Sequence, residues 1–383
     1  MTGLLRVIGE RASISGLSRF LNKWSWSTAE VTRTWQSRFR RMMEPLVQAE
    51  HQRLRTMRQM LRGRPKATVV TGYLIFDDSV HNKPKGRKMG GLGQHYSHSE
   101  GRVVTGHCMF TGLYVLLGHR CPLQVHMYRS RQTCQQENEP FRSKIDMAVD
   151  EIEIFEPVSN THTHVLFDTW FHCKRIRKSA QKRGWDVSGG LKSNRVMRLI
   201  HDDDSREWIK LSDYASRLTP EDWQEAVWPS ENGGKKVYAH VVTTWIRKLG
   251  PTQLMITCHD PHTPLKSIRY WGSTVIDLDA QSFIDILAIR WNIEIFFEYD
   301  KDLLGSDHYQ VMSANGILRF WTLISCLLCF LDEQRACADG VSLTCGDSRR
   351  TIQYQHKIHL LEWLKVQFQS GMSVDQVRLQ LAL

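Results

Sequence analysis

The run Val69-Val-Thr-Gly-Tyr-Leu-Ile-Phe-Asp-Asp78 decides the fold. It is almost continuously apolar over the length of one strand, the pattern of a strand buried on both faces, and it finishes at paired acids. His164-Val-Leu-Phe-Asp168 repeats the theme, a short buried strand that again ends in an acid. Between the two, Val103–Leu117 and Pro122–Tyr128 read as strands joined by tight turns. Pro140–Ile154 reads as a helix with Ile145, Val149 and Ile152 on one side. A basic helix, Lys174–Arg183, and a strand near Trp185–Leu191 follow Asp168.

Three strands, helix, strand, helix and strand is the order expected of a ribonuclease-H-like α/β core, a mixed sheet flanked by helices. From Asn194 to Glu294 the pattern changes. Alternating stretches such as Lys235–Ile246 and Gln253–Asp260 carry few helical periods, so residues 196–280 read as a strand-rich insertion. The tail holds an apolar helix, Ile317–Leu331, a polar loop, and a final amphipathic helix or pair from Ile352. The first segment reads as helices: Ser13–Leu21, then a long basic helix capped by Ser27 or Thr28, reaching Leu61 and ended by Gly63-Arg-Pro65. The chain thus divides into a basic helical DNA-binding segment (1–66), two parts of the core (67–195 and 281–335) around the insertion (196–280), and a helical C-terminal region (336–383).

With 383 residues, 41% hydrophobic and 24% charged, the chain can bury a large core, and its composition is not that of a disordered protein. Residues 1–66 carry fourteen Lys and Arg against four Asp and Glu, ten of the eleven units of net positive charge. Such a block suits nucleic acid, and a solvated helical surface is the other reading. Trp24, Trp26 and Trp35 interleave with these bases, at spacings that fit a small helical core better than base stacking. Nine cysteines without framework spacing argue against a secreted disulfide scaffold. Cys326 and Cys329 lie in the apolar run Trp321–Leu331, where packing explains them better than zinc does. That run reads as too short to span a bilayer, and no long apolar signal region surrounds Arg6, Glu10 and Arg11. The expected location is cytoplasmic, on the nucleoid when bound to DNA.

In Asp285–Lys301, DILAIRWNIEIFFEYDK, a continuous helix places Arg290, Glu294 and Lys301 within roughly 40° of one another. Ile286, Ile289, Ile293, Phe296 and Phe297 form the adjoining apolar arc. One reading is an Arg-to-Glu pair on a solvated helix. The other makes Glu294 the partner of two acids that end neighbouring strands, Asp77 (with Asp78 as its rival) and Asp168. Singly, each of these acids also suits a turn or a helix cap. Together, three hard oxygen ligands around two magnesium or manganese ions about 3.5–4 Å apart suit phosphodiester cleavage, and the cations offset the mutual repulsion of the acids.

These blocks resemble those of DDE transposases of the insertion-sequence type. Phe76–Met89, FDDSVHNKPKGRKM, is similar to the first-aspartate block, Val165–Arg195 to the second, and Arg290–Gly305 to the glutamate block. With SISGLSRFL near the start, the similarity covers most of residues 13–335. The group's signature is tyrosine, two residues, arginine, three residues, glutamate, six residues, lysine. Arg290, Glu294 and Lys301 match it, whereas Leu287 stands where tyrosine is expected, so a polar or stacking contact near DNA would be missing from that stripe.

The resemblance implies a transposase that binds terminal inverted repeats, cleaves DNA at the transposon ends and joins the 3′-hydroxyls to target DNA. By the same carry-over Asp77, Asp168 and Glu294 are catalytic metal ligands for two Mg2+ ions, with Mn2+ as substitute. Arg290 and Lys301 contact phosphates, Lys192, Asn194 and Arg195 are further DNA contacts or a solvated strand end, and the insertion helps hold the transposon end. Double-stranded DNA is the partner, bound by a homodimer, with no membrane and no small-molecule substrate. The alternative is a catalytically inactive, transposase-derived DNA-binding or regulatory protein. His162 and His164, near His172 and Cys173, offer a zinc reading that the carboxylate set makes unnecessary.

Overall fold

A computed structural model of the chain describes residues 14–60, 69–201, 203–230, 233–336 and 344–380; the expected helix stop at Gly63-Arg-Pro65 and the start at Ser13 lie outside them. Two helices come first, α1 (Ile14–Asn22) and α2 (Thr28–Met60). Next are β1 (Thr71–Asn82), β2 (Gly93–Ser97), β3 (Arg102–Leu116), β4 (His119–Pro122), β5 (His126–Tyr128), α3 (Arg131–Glu137), α4 (Lys144–Ile154), β6 (His162–Phe167), α5 (Lys174–Lys182) and β7 (Asp186–Leu191). Then follow β8 (Val196–Ile200), β9 (Arg206–Lys210), α6 (Leu211–Ala215), β10 (Gln224–Trp228), β11 (Lys235–Ile246), β12 (Gly250–Cys258) and β13 (Arg269–Ser273). The chain closes with α7 (Ala280–Ala288), α8 (Trp291–Glu298), a π turn (Tyr299–Leu303), α9 (Ala314–Ala336), α10 (Cys345–Gln369) and α11 (Val374–Gln380).

Among the described residues thirteen strands form one sheet, in the order β2-β3-β1-β6-β7-β13-β12-β11-β8-β9, with β4 and β5 on β3 and β10 on β11. The β1–β6 and β6–β7 pairs are parallel and the β1–β3 pair antiparallel, so the fold is the expected ribonuclease-H-like mixed sheet flanked by helices. Beyond β7 the sheet continues directly through antiparallel β13 into the later strands. β1 does not finish at the paired acids. It runs on to Asn82, because β3 is fifteen residues long and keeps pairing with it past Asp77 and Asp78. On the other side β6 stops at Phe167, opposite Phe76, so the acids lie where one neighbour continues and the other ends.

The period-2 alternation of the strands sorts their side chains into two cores. Leu74, Phe76, Phe110, Val165 and Phe167 face one way, under Phe39, Met43 and Val47 of α2, Ala148 and Ile152 of α4, and Ile176 of α5. Ile75, Met109, Leu113 and Leu166 face the other way, against Ile293 and Phe296 of α8 and Ile317 and Trp321 of α9. Each such fully buried side chain stabilises the fold by about 1.5–3 kcal/mol. The N-terminal tryptophans form no small core of their own: Trp35 packs into the first of these clusters and Trp26 into the second, while Trp24 is exposed. The reason is the spacing of Phe39, Met43 and Val47, which turns one face of α2 onto the sheet.

The apolar tail helix is longer than its sequence suggested. Ala314–Arg335 has the length and composition of a membrane span, so the shortness argument fails. Half of its most apolar window is buried, and α9 packs against α1, α2, β4 and α10 as a core helix.

Candidate active site

Parity along β1 separates the paired acids. Asp77 shares the face of Ile75, toward α8, and Asp78 shares the face of Phe76, toward α4. On β6, Leu166 shares that α8 face, and Asp168 follows with the same parity beside Asp77 in the parallel register. Asp78 is held elsewhere. Its Oδ2 is 2.7 Å from the Lys144 ammonium and accepts from the Cys108 thiol at 3.3 Å. Lys144 opens α4, where Ser143 and Asp146 form a capping box.

Glu294 reaches the aspartates through Arg290. The guanidinium donates to Glu294 Oε1 at 2.6 Å, and its other terminal nitrogen lies 3.8 Å from Asp77 Oδ2. The Asp77 side chain is 23% exposed. Burial, and then the charge of Asp78, push its carboxyl up to about 7; the Asp78 N–H, donating at 2.9 Å, and Arg290 oppose the rise, and Asp168 adds to it. Asp168 is exposed and does not cap α5, whose N-cap is Cys173 with no side-chain bond. Its Oδ1 accepts from the Trp170 N–H at 3.3 Å, closing the turn after β6. That turn lies hard against β7: a Cβ on Gly190 would stand 2.1 Å from Thr169 Oγ1.

The stretch from Asp285 to Lys301 is not one helix. α7 ends at Ala288, α8 begins at Trp291, and the turn widens to a π turn at Tyr299, so a uniform 100° per residue no longer places Lys301 on the stripe of Arg290 and Glu294. Lys301 Nζ instead donates to the Val80 carbonyl at 3.1 Å. Leu287 is not on an open stripe either. It is 3% exposed and packs with Phe283, Ile284, Val237 and Met255, between α7 and the strands beyond β7. An apolar residue is what that position requires.

Lys192 and Asn194 are exposed in the turn after β7, at the end of the sheet where Asp168 lies. Arg195, half-buried, donates to the His172 carbonyl at 2.6 Å. The histidines have partners other than a metal: His162 meets Asp186 at 2.7 Å and His164 meets Ser188 at 2.8 Å.

Among the described residues no group of three or more His, Cys, Asp or Glu side chains is gathered closely enough to hold a metal ion. Asp77 and Asp168 offer hard oxygens on one face, and the raised Asp77 carboxyl marks a like-charge cluster that a divalent cation would relieve. These residues fit such an ion by chemistry, with Arg290 standing between Asp77 and Glu294. Beside them opens a groove of about 900 Å³ lined by Arg120, Trp228, Trp271, Leu287, Arg290 and Trp291, among others. Sequence reading missed Lys144, Arg120 and these tryptophans. They come from distant segments, and nothing in their local spacing marks them.

Two families match the chain. Residues 1–227 match the DDE superfamily endonucleases, and residues 136–330 match the transposase DDE domain. Asp77 falls in the first match, Glu294 in the second and Asp168 in both. No curated protein matches the chain. Each family match covers more than half of the chain; the protein belongs to the DDE superfamily of endonucleases and, within it, to the DDE transposases.

Proposed function

We propose that the protein binds the terminal inverted repeats of a transposon, cleaves phosphodiester bonds at its ends and joins the 3′-hydroxyls to target DNA. The family is that of transposase-type nucleases acting on DNA, whose members generally use divalent metal ions. The observation that carries the finer reading is the sharing of Arg290 by Asp77 and Glu294, on the sheet face where Asp168 aligns with Asp77.

In this reading Asp77, Asp168 and Glu294 hold Mg2+, with Mn2+ as substitute. When bound, a pair of such ions activates the attacking oxygen and stabilises the leaving one. Arg290 keeps the Glu294 carboxylate beside Asp77 and, as a bidentate cation at the mouth of the groove, orients the phosphate to be cut. Trp228, Trp271 and Trp291 give the groove aromatic walls on which unpaired bases stack. Lys192 and Asn194 hold the strand near Asp168, and Arg195 fixes the turn that carries them through the His172 carbonyl. Lys301 fixes the end of the glutamate helix to β1 and adds positive charge there. Two ends must be brought together, which favours a homodimer in the DNA complex.

Leu287 no longer favours an inactive derivative, because its side chain belongs to an apolar cluster. The test is cleavage, by purified protein with Mg2+, of DNA carrying the element's own ends. Asp168→Asn and Glu294→Gln are expected to lower the rate at least 100-fold with end binding retained. Equal activity from either variant sinks the assignment.

A further inference from the structure

Below the candidate site, on the same face of β1, lies a polar pair that the chemistry above does not use. His81 is four residues beyond Asp77, and Asp300 is six beyond Glu294, in the π turn that ends the glutamate helix. Both side chains are fully buried, with His81 Nε2 4.0 Å from Asp300 Oδ2. Neither ring nitrogen of His81 has a hydrogen-bond partner, nor has Asp300 Oδ1. The Ser306 hydroxyl donates to Asp300 Oδ2, its N–H donates to the Asp300 carbonyl at 2.9 Å, and the Trp321 ring stands edge-on to His81.

We propose that His81 and Asp300 are positioning residues, which set where α8 stands along β1 and thereby place Glu294 and Arg290 against Asp77. The inference rests on the nuclease reading of that site. Its physical basis is the difference between the two kinds of contact that join helix and strand. The packing of Ile293, Phe296 and Phe297 on Ile75 and Leu166 is apolar and non-directional, and it tolerates small slides of the helix. A buried carboxyl and imidazole tolerate none, because any shift that parts them leaves both in an apolar interior without a partner.

The π turn is the local device that swings Asp300 inward, a use typical of such turns. The adjoining loop is pinned to the same strands. Lys301 Nζ donates to the Val80 carbonyl at 3.1 Å, Lys83 Nζ to the Tyr309 carbonyl at 2.9 Å, and the Tyr309 hydroxyl meets His107 Nδ1 at 2.7 Å. The helix carrying Glu294 is thus locked to the strand carrying Asp77 by a polar clasp one helical turn beyond the chemistry.

The test uses the full chain with His81→Ala, Asp300→Ala, the double variant, the conservative Asp300→Asn, and Leu254→Ala as a core-destabilised control remote from the site. Single-turnover cleavage of transposon-end DNA is measured together with the Kd for that DNA and amide exchange of residues 291–303. Each alanine variant is expected to cut at least tenfold more slowly at saturating DNA, with Kd changed less than twofold and exchange in 291–303 at least tenfold faster. The double variant is no slower than the worse single one, Asp300→Asn recovers to within threefold of the wild-type rate, and the control keeps wild-type exchange in 291–303. Unchanged exchange in both alanine variants overturns the proposal whatever the cleavage result, as does an Asp300→Asn variant as slow as Asp300→Ala. A wild-type chain that cuts no DNA sinks the nuclease reading instead, and exchange then judges the clasp alone.

Discussion

Replacing Asp77 by Asn is expected to stabilise the folded chain above about pH 7 while changing it little near pH 4. The carboxyl is pushed from 3.8 to about 7, by burial first and then by Asp78. A carboxyl whose pKa is raised on folding holds its proton more tightly when folded, so its contribution to stability is lost as pH climbs from the unfolded value to the folded one. The interval from 3.8 to about 7, at about 1.4 kcal/mol per pH unit, comes to about 4 kcal/mol, and the side chain's 23% exposure lowers that to about 2–4. Asn keeps the shape and still accepts from the Asp78 N–H, but carries no charge to desolvate. Asp300, whose carboxyl burial also lifts to about 7, is common to both proteins and cancels in the difference. The assay is urea unfolding of both proteins across this pH range in a chelating buffer. The gain in unfolding free energy of the variant over wild type should grow by about 2–4 kcal/mol between pH 4 and pH 8. A difference flat to within about 1 kcal/mol, or one that shrinks as pH rises, refutes the reasoning. Added Mg2+ should narrow the gap by binding the wild-type site alone.

Two further outcomes follow from the packing. Leu287→Ala should cost about 2–5 kcal/mol by opening a cavity among Phe283, Ile284 and Met255, and Leu287→Tyr about 1–3 kcal/mol by overpacking it, both read as lower urea midpoints; a Leu287→Tyr chain that gains DNA affinity with no loss of stability contradicts the placement. Lys144→Met should leave the Asp78 carboxylate half-buried beside an apolar chain and cost about 1–3 kcal/mol at neutral pH, with the loss shrinking in acid as Asp78 takes up a proton; an equal loss at both pH values contradicts the pairing.

Much of this protein is legible in the chain by itself. The apolar run into Asp77 and Asp78, the shorter one into Asp168, and the helix and strand after it dictate two parallel buried strands with acids at their edge, because only a strand covered on both faces carries so few polar residues. The spacing of Arg290 and Glu294 likewise dictates their contact, since four residues make one helical turn. What the chain alone leaves open depends on which surfaces meet. Alternation requires Asp77 and Asp78 to face opposite ways, but only the packing of α8 on one side and α4 on the other decides that Asp77 meets Arg290 while Asp78 meets Lys144. Leu287 looks like a gap in a DNA-facing stripe until Val237 and Met255, from strands far away in sequence, close over it. Local periodicity extends the glutamate helix unbroken through Lys301, whereas the turn at Arg290 and the π turn at Tyr299 arise where the chain must fit β1, seat Asp300 against His81 and leave Lys301 on the Val80 carbonyl. Sequence period sets which residues share a face; only the tertiary structure sets what that face touches.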